Sequence, residues 1–160
     1  MTPESFKANP AQWHQTTDLT QMLSLLQHLA NDVNVTVALL AADFAERTVP
    51  YAGDNKALVE SCIAAVRAWA RDPTKEVLQE CIEVSQAAAD AHYATTSHYS
   101  ACAAASAASA AYAATSHYAA DAVACAASAA YNVTASAASR ILEKQWQLAH
   151  VRAKHPLTEL

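Results

Sequence analysis

From Thr74 to His155 the chain contains neither proline nor glycine, and this uninterrupted stretch limits its fold more than any other feature. Chains usually turn on glycine, which reaches positive φ freely, or on proline, whose φ is fixed and whose amide is missing. One straight helix over the stretch would run on the order of 120 Å at about 1.5 Å per residue, far longer than a compact domain. The chain must therefore turn without its usual breakers, and other side chains must mark where.

An internal repeat shows the places. SHYSACAAASAASAAY, starting at Ser97, and SHYAADAVACAASAAY, starting at Ser116, are offset by 19 residues and agree at 12 of 16 positions. The same offset aligns Tyr93, Tyr112 and Tyr131, and also Thr96, Thr115 and Thr134. Thr and Ser hydroxyls cap helix N-termini, so the recurring Tyr-x-x-Thr-Ser/Ala cluster reads as a short turn between helices. The expected units lie near 76–94, 97–113, 116–132 and 135–153, with fusion of two units into one longer helix as the alternative.

Alanine supplies 41 of the 160 residues and glycine one, Gly53. Alanine is the best helix former and glycine one of the poorest, while strand-favouring residues are sparse and never alternate. The fold class expected is all-α. Between Ala87 and Ala138 half the residues are alanine and only Asp90 and Asp121 are charged, so these helices should be surrounded by protein. The architecture expected is a multi-helix bundle with alanine-rich, tightly packed central helices built from the imperfect 19-residue repeats. Ala108 and Ala127, at matching repeat positions, should both resist enlargement. A homodimer that buries a leftover alanine face is the second architecture.

The whole chain, 1–160, reads as one helical domain: a loose arm over 1–16 with Trp13 tucked down, two amphipathic helices over 17–73, and repeat helices over 74–155. From Asp18, residues Leu19, Met22, Leu23, Leu26, Val37, Leu40 and Phe44 keep three-and-four spacing, which predicts one long helix ending near Arg47. Thr48 to Gly53 form the first break, and Asp54 is a natural N-cap for the next helix. That helix carries Leu58, Val59, Cys62, Ile63, Val66 and Trp69 on its inner face. Asp72-Pro73-Thr74 stops it, with Thr74 placed to cap a third.

Several function classes fall away on composition. The opening residues MTPESFKANP lack a basic stretch followed by an apolar one, so no signal peptide is expected and the location expected is cytoplasmic. The apolar segment Ala101–Ala130 is broken by Ser106, Ser109, His117 and Asp121 and is too weakly hydrophobic to span a membrane. Cys62, Cys81, Cys102 and Cys125 read as small buried thiols, not as disulfides, and the sequons at Asn34 and Asn132 as silent. A formal charge of −5 disfavours nucleic acid and is consistent with a basic partner.

No constellation reads as catalytic. His98 with Cys102, and His117 with Asp121, share helix faces at i, i+4, but each pair supplies two ligands where zinc needs three or four. Ser97-His98 and Ser116-His117 are sequence neighbours that point in different directions on a helix, and no third orienting group follows. No metal, no cofactor and no enzyme activity are expected. Thr96, Thr115 and Thr134 recur every 19 residues, a step of roughly 100° that scatters them around a helix and excludes an ice-binding face. The charged faces are more informative. Glu76, Glu80, Glu83 and Asp90 form an acidic stripe that, with Asp43, Glu46 and Glu60, is expected to dock a basic protein. Arg140, Lys144, Arg152 and Lys154 form a basic counterpart near the other end.

The stretch from Ala65 to Tyr131 combines a Trp-Ala cluster (AVRAWA), a polar turn with Thr before Lys-Glu (RDPTKE), and long alanine runs punctuated by His, Tyr and Asp. In this it resembles the alanine-rich immunity proteins associated with bacterial polymorphic toxins, over roughly residues 60–135. The resemblance implies a non-enzymatic protein that neutralises a toxin-like partner by occlusion, and it brings no catalytic residues to carry over. A structural or self-assembling helical protein, joined through its alanine-rich face, is the alternative.

Overall fold

Every regular element among the described residues is helical. The computed structural model describes residues 12–29, 33–95, 97–115, 119–132 and 137–155. Its helices are α1 (Gln12–Gln15), α2 (Leu19–Leu29), α3 (Val33–Glu46), α4 (Lys56–Arg71), α5 (Lys75–Ala94), α6 (His98–Thr115), α7 (Ala119–Asn132) and α8 (Ala137–Lys154). Two 3-10 turns, Val49–Tyr51 and Gly53–Asn55, join α3 to α4. The chain is an all-α bundle.

The first amphipathic segment departs from its expected form. It is two helices, α2 and α3, and not one running from Asp18 to Arg47. The intervening Ala30, Asn31 and Asp32, through which the single expected helix would run, lie outside the described residues. The expected apolar face is nonetheless buried on both: Met22, Leu23 and Leu26 from α2, Val37, Leu40 and Phe44 from α3. Within the expected arm, Gln12–Gln15 form α1 and Trp13 is fully buried, in keeping with its expected tucked-down position; residues 1–11 lie outside the described residues.

The break after α3 falls where Pro50 and Gly53 stand. Gly53 has φ 56°, which a side chain would disfavour. The buried Thr48 hydroxyl donates to the Ala45 carbonyl at 2.6 Å and takes up one end carbonyl of α3. Asp54 is not the cap of α4; it lies within the second 3-10 turn, and Asn55 holds the N-cap position. The extra turn shifts the helix start by one residue. Thr74 does cap α5, its hydroxyl accepting from the Val77 amide at 3.4 Å.

Helix α6 is in contact with α3, α4, α5 and α7, so it lies at the middle of the bundle. Its sequence allows this: no residue in it is charged, and Ala103, Ala104, Ala107, Ala110 and Ala111 are all fully buried. Polar groups on the crossing helices are paired to backbone. Ser106 Oγ donates to the Ala126 carbonyl at 3.0 Å, Ser85 Oγ donates to that of Ala108 at 3.1 Å, and His92 Nδ1 lies 2.9 Å from that of Ala101. The larger apolar residues come from α2, α3 and α4, and α8 closes the bundle through Leu148 and Val151. No described helix is long and apolar enough to cross a membrane.

Candidate functional site

Helix α5 has an inner face that buries Cys81 and Ala88, while Glu76, Glu80, Glu83 and Asp90 are all exposed. Glu76, Glu83 and Asp90 are spaced by seven residues, two helical turns, and so form a row with steps of about 10 Å. Two neighbours hold carboxylates in place: Gln79 Nε2 donates to Glu83 at 3.1 Å and Gln86 Nε2 to Asp90 at 2.9 Å. Among the described residues no cation forms an ion pair with any of the four. Ile82, 45% exposed, and Tyr93, 84% exposed, lie on the same helix.

The other acidic residues do not extend this row. Asp43 and Glu46 are on α3, where Arg67 from α4 ties them together, its Nη2 3.0 Å from Asp43 Oδ1 and 2.8 Å from Glu46 Oε2. The hydrogen bond to Arg67 holds the Glu46 carboxyl below its ordinary range. Reciprocally, Glu46 first and Asp43 second push the Arg67 guanidinium up. Glu60 lies 3.9 Å from Lys56 one turn earlier on its own helix.

The basic stripe on α8 is divided too. Arg140 lies over the Tyr131 ring at 5.7 Å, and Lys144 is exposed. Arg152 turns back to the N-terminal segment, donating to the carbonyls of Trp13 and Thr16.

Between α3, α4 and α8 lies a polar cluster that periodicity did not reveal. Glu143, 4% exposed, accepts from Arg47 Nη2 at 2.8 Å and from Gln147 Nε2 at 3.1 Å. Gln147 also donates to the Ala127 carbonyl of α7 at 2.9 Å. His150 Nε2 lies 2.8 Å from Asp43 Oδ2, so the imidazole and Arg67 share one carboxylate. Depressions of about 490, 550 and 580 Å³ adjoin here, with Arg67 in the wall of each. The sequence held a partial signal, in Trp146 and His150 at i, i+4 beside Glu143 and Gln147, but their partners lie about a hundred residues away.

His98 and Cys102 do meet, with Nε2 3.8 Å from Sγ. Among the described residues no three potential metal ligands cluster, and the side chains of His117 and Asp121 lie outside that set. The thiols differ in environment. Cys62 and Cys81 are buried, and burial pushes them up to about 12 and about 11 respectively; Cys102 is half-buried and also raised. Cys125 is exposed, against the expectation that all four are buried. None of the four is in a disulfide. No protein family, curated protein or solved structure matches the chain.

Proposed function

We propose that this chain is a non-enzymatic binding protein that docks a basic protein partner on the outer face of α5 and neutralises it by occlusion. The observation that carries this reading is the row of Glu76, Glu80, Glu83 and Asp90, exposed and without a cation paired to it among the described residues. Carboxylates inside a bundle are usually matched internally, as Asp43 and Glu143 are here. An unmatched row on one face instead raises the encounter rate with a positive surface. Ile82 and Tyr93 would add apolar and aromatic contact area beside the charges. An immunity protein acting on a toxin in the cytoplasm, the role implied by the alanine-rich resemblance, is one form this activity takes.

The alanine-rich repeats then serve as duplicated packing units that hold α5 in place, and not as the docking surface. Burial of Ala103, Ala107 and Ala111 within the chain supports this over self-assembly through an alanine face. Co-purification from the native host identifies the partner. Glu76, Glu80 and Glu83 are then changed together to Lys, a comparably good helix former. The helical circular-dichroism signal should persist, association should slow strongly, and the wild-type on-rate should fall with added salt. Unchanged rate and affinity in the triple variant would remove α5 from the mechanism.

A further inference from the structure

We propose that the groove between the C-terminal ends of α4 and α8 binds a small organic anion, a carboxylate that carries an apolar tail. The groove has a volume of about 490 Å³, within the range of small-molecule sites. Its charged rim is Arg71, the last residue of α4, and Lys154, the last of α8. Leu39 and Leu40 of α3 give it an apolar side, with Leu39 36% exposed.

The charges in the wall do not cancel. Asp43 is already engaged by Arg67 and His150, and Arg67 is matched by Asp43 and Glu46. Arg71 Nε donates to the Arg67 carbonyl at 3.1 Å, and among the described residues its two terminal nitrogens have no acceptor. Lys154 takes part in no ion pair among the described residues. His155, also in the wall, is kept neutral over a wider pH range than usual because burial lowers its pKa, so it adds a polar edge without charge.

One competing role exists. Both helices end here, and Arg71 and Lys154 would offset the partial negative charge of the last carbonyls. That role needs neither a concave shape nor the leucines. A guanidinium and an ammonium beside an apolar wall match a carboxylate head with a hydrocarbon tail. This inference is independent of the partner-docking reading of α5.

The test is titration of the full chain with octanoate, followed by amide NMR. Octanoate should shift the amides around Leu39, Leu40 and Arg71, with octanol and inorganic phosphate each weaker by about tenfold or more. Replacing Arg71 and Lys154 together by Gln should weaken octanoate by at least about tenfold. Leu39→Asp, on an already exposed position, should do the same if the double variant folds poorly. Absence of shifts at millimolar octanoate overturns the proposal. So does phosphate binding as well as octanoate, or a double variant that loses only thermal stability.

Discussion

Trp146 and His150 lie one turn apart on α8 with their rings stacked, centroids 4.6 Å apart and planes at 17°. The Arg47 guanidinium sits 4.4 Å from the Trp146 centroid, and Phe44 meets the same ring edge-on at 6.2 Å. Helix α8 is thus fastened to α3 by large side chains, unlike the alanine-mediated contacts inside the bundle. Cation–π and aromatic contacts of this kind contribute about 0.5–1.5 kcal/mol each.

The fastening depends on Arg47. Its removal leaves Glu143, 4% exposed, with Gln147 as its remaining described donor, and also uncovers Trp146. Arg47 is itself 44% exposed, so water moderates the loss. Arg47→Ala should cost about 1–3 kcal/mol in urea unfolding. Arg47→Lys should recover little, because an ammonium cannot replace the Nε and Nη2 donors that converge on Glu143 Oε2, nor the guanidinium over the Trp146 ring. A lysine variant as stable as the parent would mean the guanidinium geometry contributes nothing.

Stability should fall on acidification, for two reasons of the same sign. Burial holds His155 below its ordinary 6.5, so as pH drops the unfolded imidazole takes a proton that the folded one resists. Glu46, held below its ordinary 4.5 chiefly by Arg67, contributes stability that is present above that value and lost as pH falls through the folded one. Urea midpoints at pH about 7.5, about 5.5 and about 4 should decline stepwise. His155→Gln should flatten the first step, and a midpoint that rises between the upper two values would contradict the assignment.

The four cysteines should label in an order set by exposure and thiolate content. Cys125 should react first with a disulfide reagent, Cys102 more slowly, and Cys62 and Cys81 last, since the latter two are buried with raised pKa values. The Cys62 thiol also donates to the Val84 carbonyl at 3.3 Å. Mass spectrometry of the folded protein over time gives the order. Fast labelling of Cys81 would place the α4–α5 contact in an open state.

How much of this was legible in sequence depended on the range of the interaction. Local signals worked. Thr74 caps α5, Pro73 and Gly53 mark breaks, and the inner face of α4 is Val59, Cys62, Ile63, Val66 and Trp69. Helix α5 ends at Ala94 and α6 starts at His98, beside Thr95 and Ser97. The Asp54 cap failed because a 3-10 turn and a capped helix draw on the same residue types. The exposed row on α5 was readable from spacing alone. The clasp was not, because Arg47 and Glu143, or Asp43 and His150, meet only through the tertiary fold. Equivalence across the repeat failed for the same reason. Ser106 is buried beneath α7, while Cys125, 19 residues later, is exposed, because α6 is covered by more neighbours than α7.

That asymmetry gives the last prediction, on Ala108 and Ala127, which occupy the same place in the repeat. Ala127 is 2% exposed and its carbonyl accepts from Gln147, so a larger residue there pushes on both α8 and the Glu143 cluster. Ala108 is only half-buried, although its carbonyl accepts from Ser85 on α5. Ala127→Leu should cost about 1–3 kcal/mol, the usual range for overpacking a dense interior. Ala108→Leu should cost less, since part of the leucine can reach solvent. The two variants, melted side by side, separate packing from composition: each gains the same side chain in a sequence environment that is nearly identical. Equal losses would mean that repeat position alone sets the tolerance. A larger loss at Ala108 would mean that α6, and not the α7–α8 contact, is the more tightly closed part of the bundle.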